Sequence, residues 1–451
     1  MLFESAWFAE SDKKDKPKYV VLYSVIRAEI EKGNISENQM IPSIREVSRQ
    51  LGISSTTAEN AYNQLMVEGY IYSIPQKGYF ASRLDKVFFS RSSTAREIRP
   101  ASPIEVNSSY MDTGIFNFTE WRKIYTQVLE DYPHRLLLEG DPQGEHELRE
   151  ALSDYVYRAR GVRCAPRQIV IGSGVQTLLS IYCDITDELL LPKVAFEEPG
   201  FVDVRPVFQK RGYSLHPIPL DKDGINVDSL FQAGATACYT SPSHQYPTGL
   251  VMPVQKRTEL LRWAEQTDGY ILEDDYDSEL RFSGRPVPSL FSMDNEGHVI
   301  YLGSFSTLMA PSLRISYMIL PDILSKAYRD NIHNYRSTVS SAEQLALTSY
   351  IVNGHFERHL RRLRKKCSAR MKAFIAAGNH HRNDINIYTT DTGTFVLLEA
   401  RNHEKIEAIR KNTSLMGLGL REVWKGYFAF QYAYIMEDKF PQLLREMIQI
   451  I

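Results

Sequence analysis

Two stretches of this 451-residue chain carry residue types that could do chemistry. Glu273-Asp274-Asp275-Tyr276-Asp277 gathers four carboxyls and a phenol directly after the strand-like run Tyr270-Ile271-Leu272. The carboxyl edge of an α/β sheet is where ligands bind, so this run can aim a carboxylate at a cationic or protonated partner. Taken alone, an acidic run after a strand is more often a solvated turn, and only its place among other motifs favours a site. Ile171-Gly172-Ser173-Gly174-Val175-Gln176 reads as strand, glycine turn and helix start. Free amides and the positive end of a helix dipole suit a phosphate there, although a lone glycine turn is weak as a signal.

The elements that must position these groups follow from periodicity. Strand-like runs at Ile169-Val170-Ile171, Ala237-Cys238-Tyr239, Tyr270-Ile271-Leu272 and Val299-Ile300-Tyr301-Leu302 alternate with amphipathic helical segments. That alternation predicts a doubly wound α/β domain with a mainly parallel sheet. It occupies the chain beyond about residue 106. Before it, residues 83–105 form a charged, Ser- and Pro-containing stretch that reads as a linker, and residues 1–82 form a separate small unit.

Composition narrows the class. With 43% hydrophobic and 24% charged residues, the chain has the content of a soluble globular protein. A formal net charge of −2 announces neither nucleic acid nor membrane. The four cysteines are scattered, with no CxxC pair and no metal-ligand spacing, and read as reduced structural residues of a cytoplasmic protein with no metal site. Met1 to Lys18 lacks the apolar segment of a signal peptide, and no run reaches the ~18 apolar residues of a membrane helix.

In the N-terminal unit, Leu22, Ile26 and Ile30 mark the buried stripe of a first helix that Gly33 ends. Ser43-Ile44-Arg45-Glu46 is a capping box opening a second helix with Val47 and Leu51 inside. After the turn at Gly52, a third helix starts near Ser54 to Thr56, with Glu59 placed for a second capping box. Its inner face carries Ala58, Ala61, Tyr62 and Leu65. Tyr70-Ile71-Tyr72 and Tyr79-Phe80 flank Pro75-Gln76-Lys77-Gly78, a hairpin signal. Helix, helix–turn–helix and hairpin make a winged helix, whose third helix enters the DNA major groove.

The stretch "IPSIREVSRQLGISSTTAENAYNQLMVEGYIYSIPQKGYF" resembles the GntR-type winged helix. That resemblance implies that Arg45 contacts phosphate or a base edge, that Ser55, Thr56 and Thr57 face the groove, and that Lys77 and Gly78 form the wing. Family members usually carry arginine on the recognition helix where this chain has Ser55 and Glu59. From Pro17 to Arg83, seven Lys and Arg stand against six Glu, a net of +1. Phosphate contacts supply most non-specific affinity, so one copy should bind DNA weakly and two half-sites should be needed.

The large region resembles fold-type I pyridoxal-phosphate enzymes of the aminotransferase class. The whole chain is thereby similar to the MocR/GabR-like regulators, in which such a domain is fused to a GntR winged helix. The implied fold is a winged helix-turn-helix domain plus an aminotransferase-like domain, with a large mainly parallel sheet and a small C-terminal α+β subdomain. The cofactor needs a carboxylate at the pyridine nitrogen, a stacking ring, anion donors and a lysine. The resemblance assigns Asp274 to the nitrogen, Tyr276 to the ring hydroxyl, Phe201 of Glu198-Pro199-Gly200-Phe201 to stacking, and Gly174, Val175 and Gln176 to the phosphate. Ser243-His244-Gln245-Tyr246-Pro247-Thr248-Gly249 stands where aminotransferases have Asn-Pro-Thr-Gly, so Gln245 or Tyr246 reaches the ring.

Gly303-Ser304-Phe305-Ser306-Thr307-Leu308-Met309-Ala310-Pro311-Ser312-Leu313-Arg314 is similar to the Schiff-base segment, but Thr307 takes the place of its lysine. No lysine lies between Lys256 and Lys326. Without that amine the usual route into transamination is closed, which leaves no catalytic residue. Ser304 and Arg314 remain for a phosphate. A second anchor, the terminal arginine that grips a substrate carboxylate, is replaced by Ala429 within Tyr427-Phe428-Ala429-Phe430-Gln431-Tyr432.

These readings lead to a ligand-responsive regulator of double-stranded DNA. It is a head-to-tail homodimer by resemblance, and it senses pyridoxal phosphate, an adduct of it or another small anion without covalent attachment. Two alternatives stay open: an active aminotransferase with an accessory winged helix, and a constitutive regulator that binds no cofactor and dimerises through the large domain. The basic helix around His355 to Lys366 reads as a solvated face or a second DNA surface.

Overall fold

The structure, a computed structural model, describes residues 17–83, 111–186, 193–282, 287–389, 392–416 and 420–449. The chain divides into two compact units, Met1–Ser102 and Pro103–Ile451. Apart from Arg83, the linker expected at 83–105 lies outside the described residues.

The first unit runs α1 (Lys18–Glu31), β1 (Met40–Ile41), α2 (Ile44–Leu51), α3 (Ser55–Val67), β2 (Ile71–Ile74) and β3 (Gly78–Ala81). Leu22, Ile26 and Ile30 from α1 pack with Val47, Ala58, Ala61, Tyr62 and Leu65 in one core. The turn between α2 and α3 is set at its ends. Gly52 takes the left-handed conformation that closes α2, with φ 62°. Ser54 Oγ then accepts the Thr57 N–H at 3.1 Å and caps α3. Glu59 is therefore two residues too far along to complete a capping box. β1 went unnoticed in the sequence because it is only two residues long; it pairs antiparallel with β3 and completes a sheet of order β1-β3-β2.

The second unit is built on eight strands: β4 (Ile169–Gly172), β5 (Lys193–Glu198), β6 (Ser214–Asp221), β7 (Gly224–Ile225), β8 (Ala237–Thr240), β9 (Tyr270–Asp275), β10 (Val299–Ser304) and β11 (Ser316–Ile319). Their order is β4-β11-β10-β9-β8-β5-β6-β7. β10, β9, β8, β5 and β6 are mutually parallel, whereas β11 runs against both β10 and β4. The sheet is thus mixed around a parallel centre. β4, β8 and β11 are buried along their whole length, as expected where both faces are covered. This connectivity brings the carboxyl ends of β4, β10, β9, β8 and β5 to one edge.

A smaller antiparallel sheet follows: β12 (Ile385–Tyr388), β13 (Val396–Ala400), β14 (Leu420–Trp424) and β15 (Tyr427–Phe430), in the order β12-β13-β15-β14. Among the described residues, no helix is long and apolar enough to cross a membrane.

Candidate functional site

A cavity of about 520 Å³ lies where those strand ends converge. Gly174, Val175, Gln176, Phe201, Tyr246, Asp274, Tyr276, Ser304, Thr307 and Arg314 all line it. Residues separated by up to 140 positions in sequence therefore meet in one place, each from the loop or strand end that its motif implied.

One wall is positively charged. Gly174 opens the helix Val175–Thr186 with φ +119°, and a Cβ there would lie 2.5 Å from Arg314 Nη2. Only glycine lets the guanidinium approach the helix N-terminus this closely, and the helix dipole adds to the positive potential. Arg314 itself is left-handed, φ 52°. Ser304 Oγ accepts the Ser306 N–H at 3.2 Å and the Ser316 hydroxyl at 3.1 Å, which fixes its orientation at the end of β10.

A second wall is acidic and aromatic. Asp274, at the end of β9, is almost buried and accepts the Tyr239 hydroxyl. Burial first, then the neighbouring carboxylates Asp275, Asp277 and Glu197, push its carboxyl up to about 7, against the hydrogen bond from Tyr239. Tyr276 donates its hydroxyl to the His244 carbonyl at 2.9 Å. The His244 ring is sandwiched between Tyr276 and Phe395, at 5.8 and 5.0 Å, and its Nδ1 lies 2.9 Å from Asp277. Phe201 meets Tyr246 edge-on at 5.8 Å. Of the two residues expected to reach a bound ring, Tyr246 lines the cavity. Gln245 turns inward, donating to the Pro199 carbonyl at 2.9 Å and accepting from the Thr248 hydroxyl at 2.6 Å.

Among the described residues, no lysine lines the cavity. Thr307 faces it, and Ala429 and Gln431 of the small sheet complete that side. Sequence reasoning missed Asp203, Ser306, Ser316, Thr394, Phe395 and Arg421, which also line it. Ser306 could have been found beside Thr307. Asp203 and Arg421 lack any local signal, because tertiary folding alone joins them.

The expected DNA-facing residues lie in the other unit. Arg45, Ser55, Thr56 and Lys77 are exposed. Gly78 starts β3 at φ +117°, against Met40. Thr57 differs: it is half-buried, and its hydroxyl lies 2.8 Å from that of Ser54, so the cap already engages it. On the long helix His355–Gly378, Arg364 donates to the Glu279 carbonyl and Lys366 pairs with Asp112 at 2.7 Å, so part of its basic face is structural.

Comparison with known proteins agrees with this division. Residues 18–80 match the family described as bacterial regulatory proteins, gntR family, and residues 107–428 match aminotransferase class I and II. The chain is 38% identical over 357 residues to the uncharacterized HTH-type transcriptional regulator YdeL of Bacillus subtilis strain 168, covering 78% of this chain and 77% of that one. It is 31% identical over 407 residues to the probable rhizopine catabolism regulatory protein MocR of Rhizobium meliloti, covering 84% and 81%. The chain belongs to the MocR-like GntR regulators. In this family the second unit has the aminotransferase fold. The kynurenine aminotransferase of Pyrococcus horikoshii superposes with a TM-score of 0.64 at 25% identity, over 75% of this chain and 88% of that one.

Proposed function

We propose that this MocR-like protein is a cytoplasmic DNA-binding transcription regulator, a head-to-tail homodimer. On this reading its aminotransferase-like unit binds a small phosphate-bearing effector, pyridoxal phosphate or an adduct of it, without covalent attachment and without catalysis. The observation that carries this reading is one cavity that assembles all ten anticipated residues but includes no lysine among the described residues.

The residues present fit such a group. The cup between Gly174 and Arg314, which a Cβ would fill, suits the phosphate. Asp274 would hold a proton between its carboxyl and a ring nitrogen, a task suited to a buried group held up to about 7. Phe201 and Tyr246 would confine the ring. When bound, the cofactor would supply an aldehyde reactive toward amines; the chain itself orients the group and excludes water. Occupancy would favour one placement of the paired winged helices over another, by as much as the ligand's differential affinity allows.

A nuclease footprint of the purified protein upstream of its own and neighbouring genes tests the regulator. Protection that changes on adding pyridoxal phosphate is expected, together with full loss of the ligand on dialysis. No footprint, or steady amino-acid turnover with added cofactor, would overturn the reading.

A further inference from the structure

Ala429 stands where the family resemblance places an arginine for the ligand carboxylate, and that side of the cavity is nevertheless supplied with a guanidinium. β14 and β15 pair Arg421 directly with Ala429. Directly opposed residues of an antiparallel pair project from the same face, with Cβ atoms about 4.5–5.5 Å apart. Both residues line the cavity. The small side chain at 429 leaves this face open, and Arg421 lines the same cavity from one strand away.

The Arg421 guanidinium is already arranged for a carboxylate. Asp203, in the segment after β5, takes it in a bidentate pair, with Nη1 and Nη2 each 2.7 Å from a carboxyl oxygen. Forked geometry of this kind is how arginine recognises planar carboxylates. The pair lies 41% and 45% exposed, so it adds little to stability as an ion pair, and substitutions there should leave the fold intact.

We propose that Arg421 is the carboxylate anchor of this cavity, the role having moved from β15 to β14, with Asp203 as an internal carboxylate that competes for the same guanidinium. The effector class that follows is a phosphopyridoxyl group joined to an amino acid that keeps its carboxylate. This inference rests on the effector site proposed above.

The test is calorimetric titration of the full-length protein with two probes, N-(5'-phosphopyridoxyl)-L-alanine and N-(5'-phosphopyridoxyl)ethylamine, which differ only in the carboxylate. Wild type is expected to bind the alanine probe roughly tenfold or more tightly than the ethylamine probe, the range for a hydrogen-bonded charged group. Arg421→Met should bring that ratio to about one or below, because the carboxylate loses its partner and Asp203 keeps its charge in the cavity. Asp203→Asn should widen it, and Arg421→Ala combined with Ala429→Arg should restore it. Equal affinities in wild type, or a ratio that survives Arg421→Met, would overturn the anchor and leave the phosphopyridoxyl site standing. Failure of both probes to bind would remove the site and the anchor together.

Discussion

Arg314 reaches so close to Gly174 that its Nη2 would lie 2.5 Å from any Cβ at that position. The glycine is demanded twice, by that contact and by φ +119° at the start of a helix. Gly174→Ala should therefore displace the guanidinium and strain the backbone, each costing of the order of 1 kcal/mol or more. The expected outcome is at least a tenfold loss of affinity for pyridoxal phosphate, measured by calorimetry. Unchanged affinity would mean that the phosphate binds elsewhere.

The acid cluster behind the cavity makes stability depend on pH. Glu197, Glu273, Asp274 and Glu279 are buried, and burial is the first cause holding each carboxyl up to about 7. Unfolded, such groups titrate near 4. Folding therefore favours their protonated forms, and the stability this contributes is complete below pH about 4 and is lost as pH rises through about 7. The thermal midpoint should fall as pH rises from about 4 to about 7. Asp274→Asn should fall less, because Asn stays neutral and its carbonyl still accepts the Tyr239 hydroxyl. An Asn variant with an equal or steeper decline would show that Asp274 is not among the groups responsible.

What the sequence could disclose about the site followed the strand ends. Gly174, Asp274, Ser304 and Thr307 each sit in or just after an apolar run of strand length, and a parallel sheet centre brings such positions together whatever the loops do. Arg421 and Asp203 stand 218 residues apart and meet only through the docking of the small sheet, so no local pattern announces them. The fold was less legible where residue types contradict the element. β6 contains Pro217 and Pro219, which argue against a strand, and the sheet tolerates them in the strand that precedes the two-residue edge strand β7. The range Ser54 to Thr56 contains the cap of α3, but Glu59 completes no capping box, because Thr56 and Glu59 only imitate the spacing that Ser54 and Thr57 use.

Arg45 lies exposed on the first turn of α2, in a winged-helix unit whose net charge from Pro17 to Arg83 is only +1. With so few cations, each phosphate contact should be a visible fraction of the whole. Arg45→Ala is expected to weaken binding to the footprinted site about tenfold and, if the contact is to phosphate, to reduce the salt dependence by about one contact per winged helix. Fluorescence anisotropy across a salt series measures both. Weakening confined to one DNA sequence, at unchanged salt dependence, would instead place Arg45 on a base edge. No change in either would exclude it from the interface.

Thr307 is half-buried and faces the cavity that also presents Ser304 and Asp274. Its carbonyl accepts the Tyr434 hydroxyl at 3.3 Å, a contact that does not depend on the side chain at 307. Thr307→Lys should therefore place an amine in the cavity without moving the backbone, since the space of about 520 Å³ accepts the longer chain. With pyridoxal phosphate, this variant is expected to gain a visible absorbance band that borohydride fixes to the peptide containing position 307. Wild type, treated alike, should keep no label there. Turnover should still be slow, because restoring one group of a cooperating set recovers only part of the rate. A variant that folds, binds the cofactor and remains unlabelled would show that position 307 is not within reach of the cofactor aldehyde, and that the missing lysine belongs to another part of the cavity.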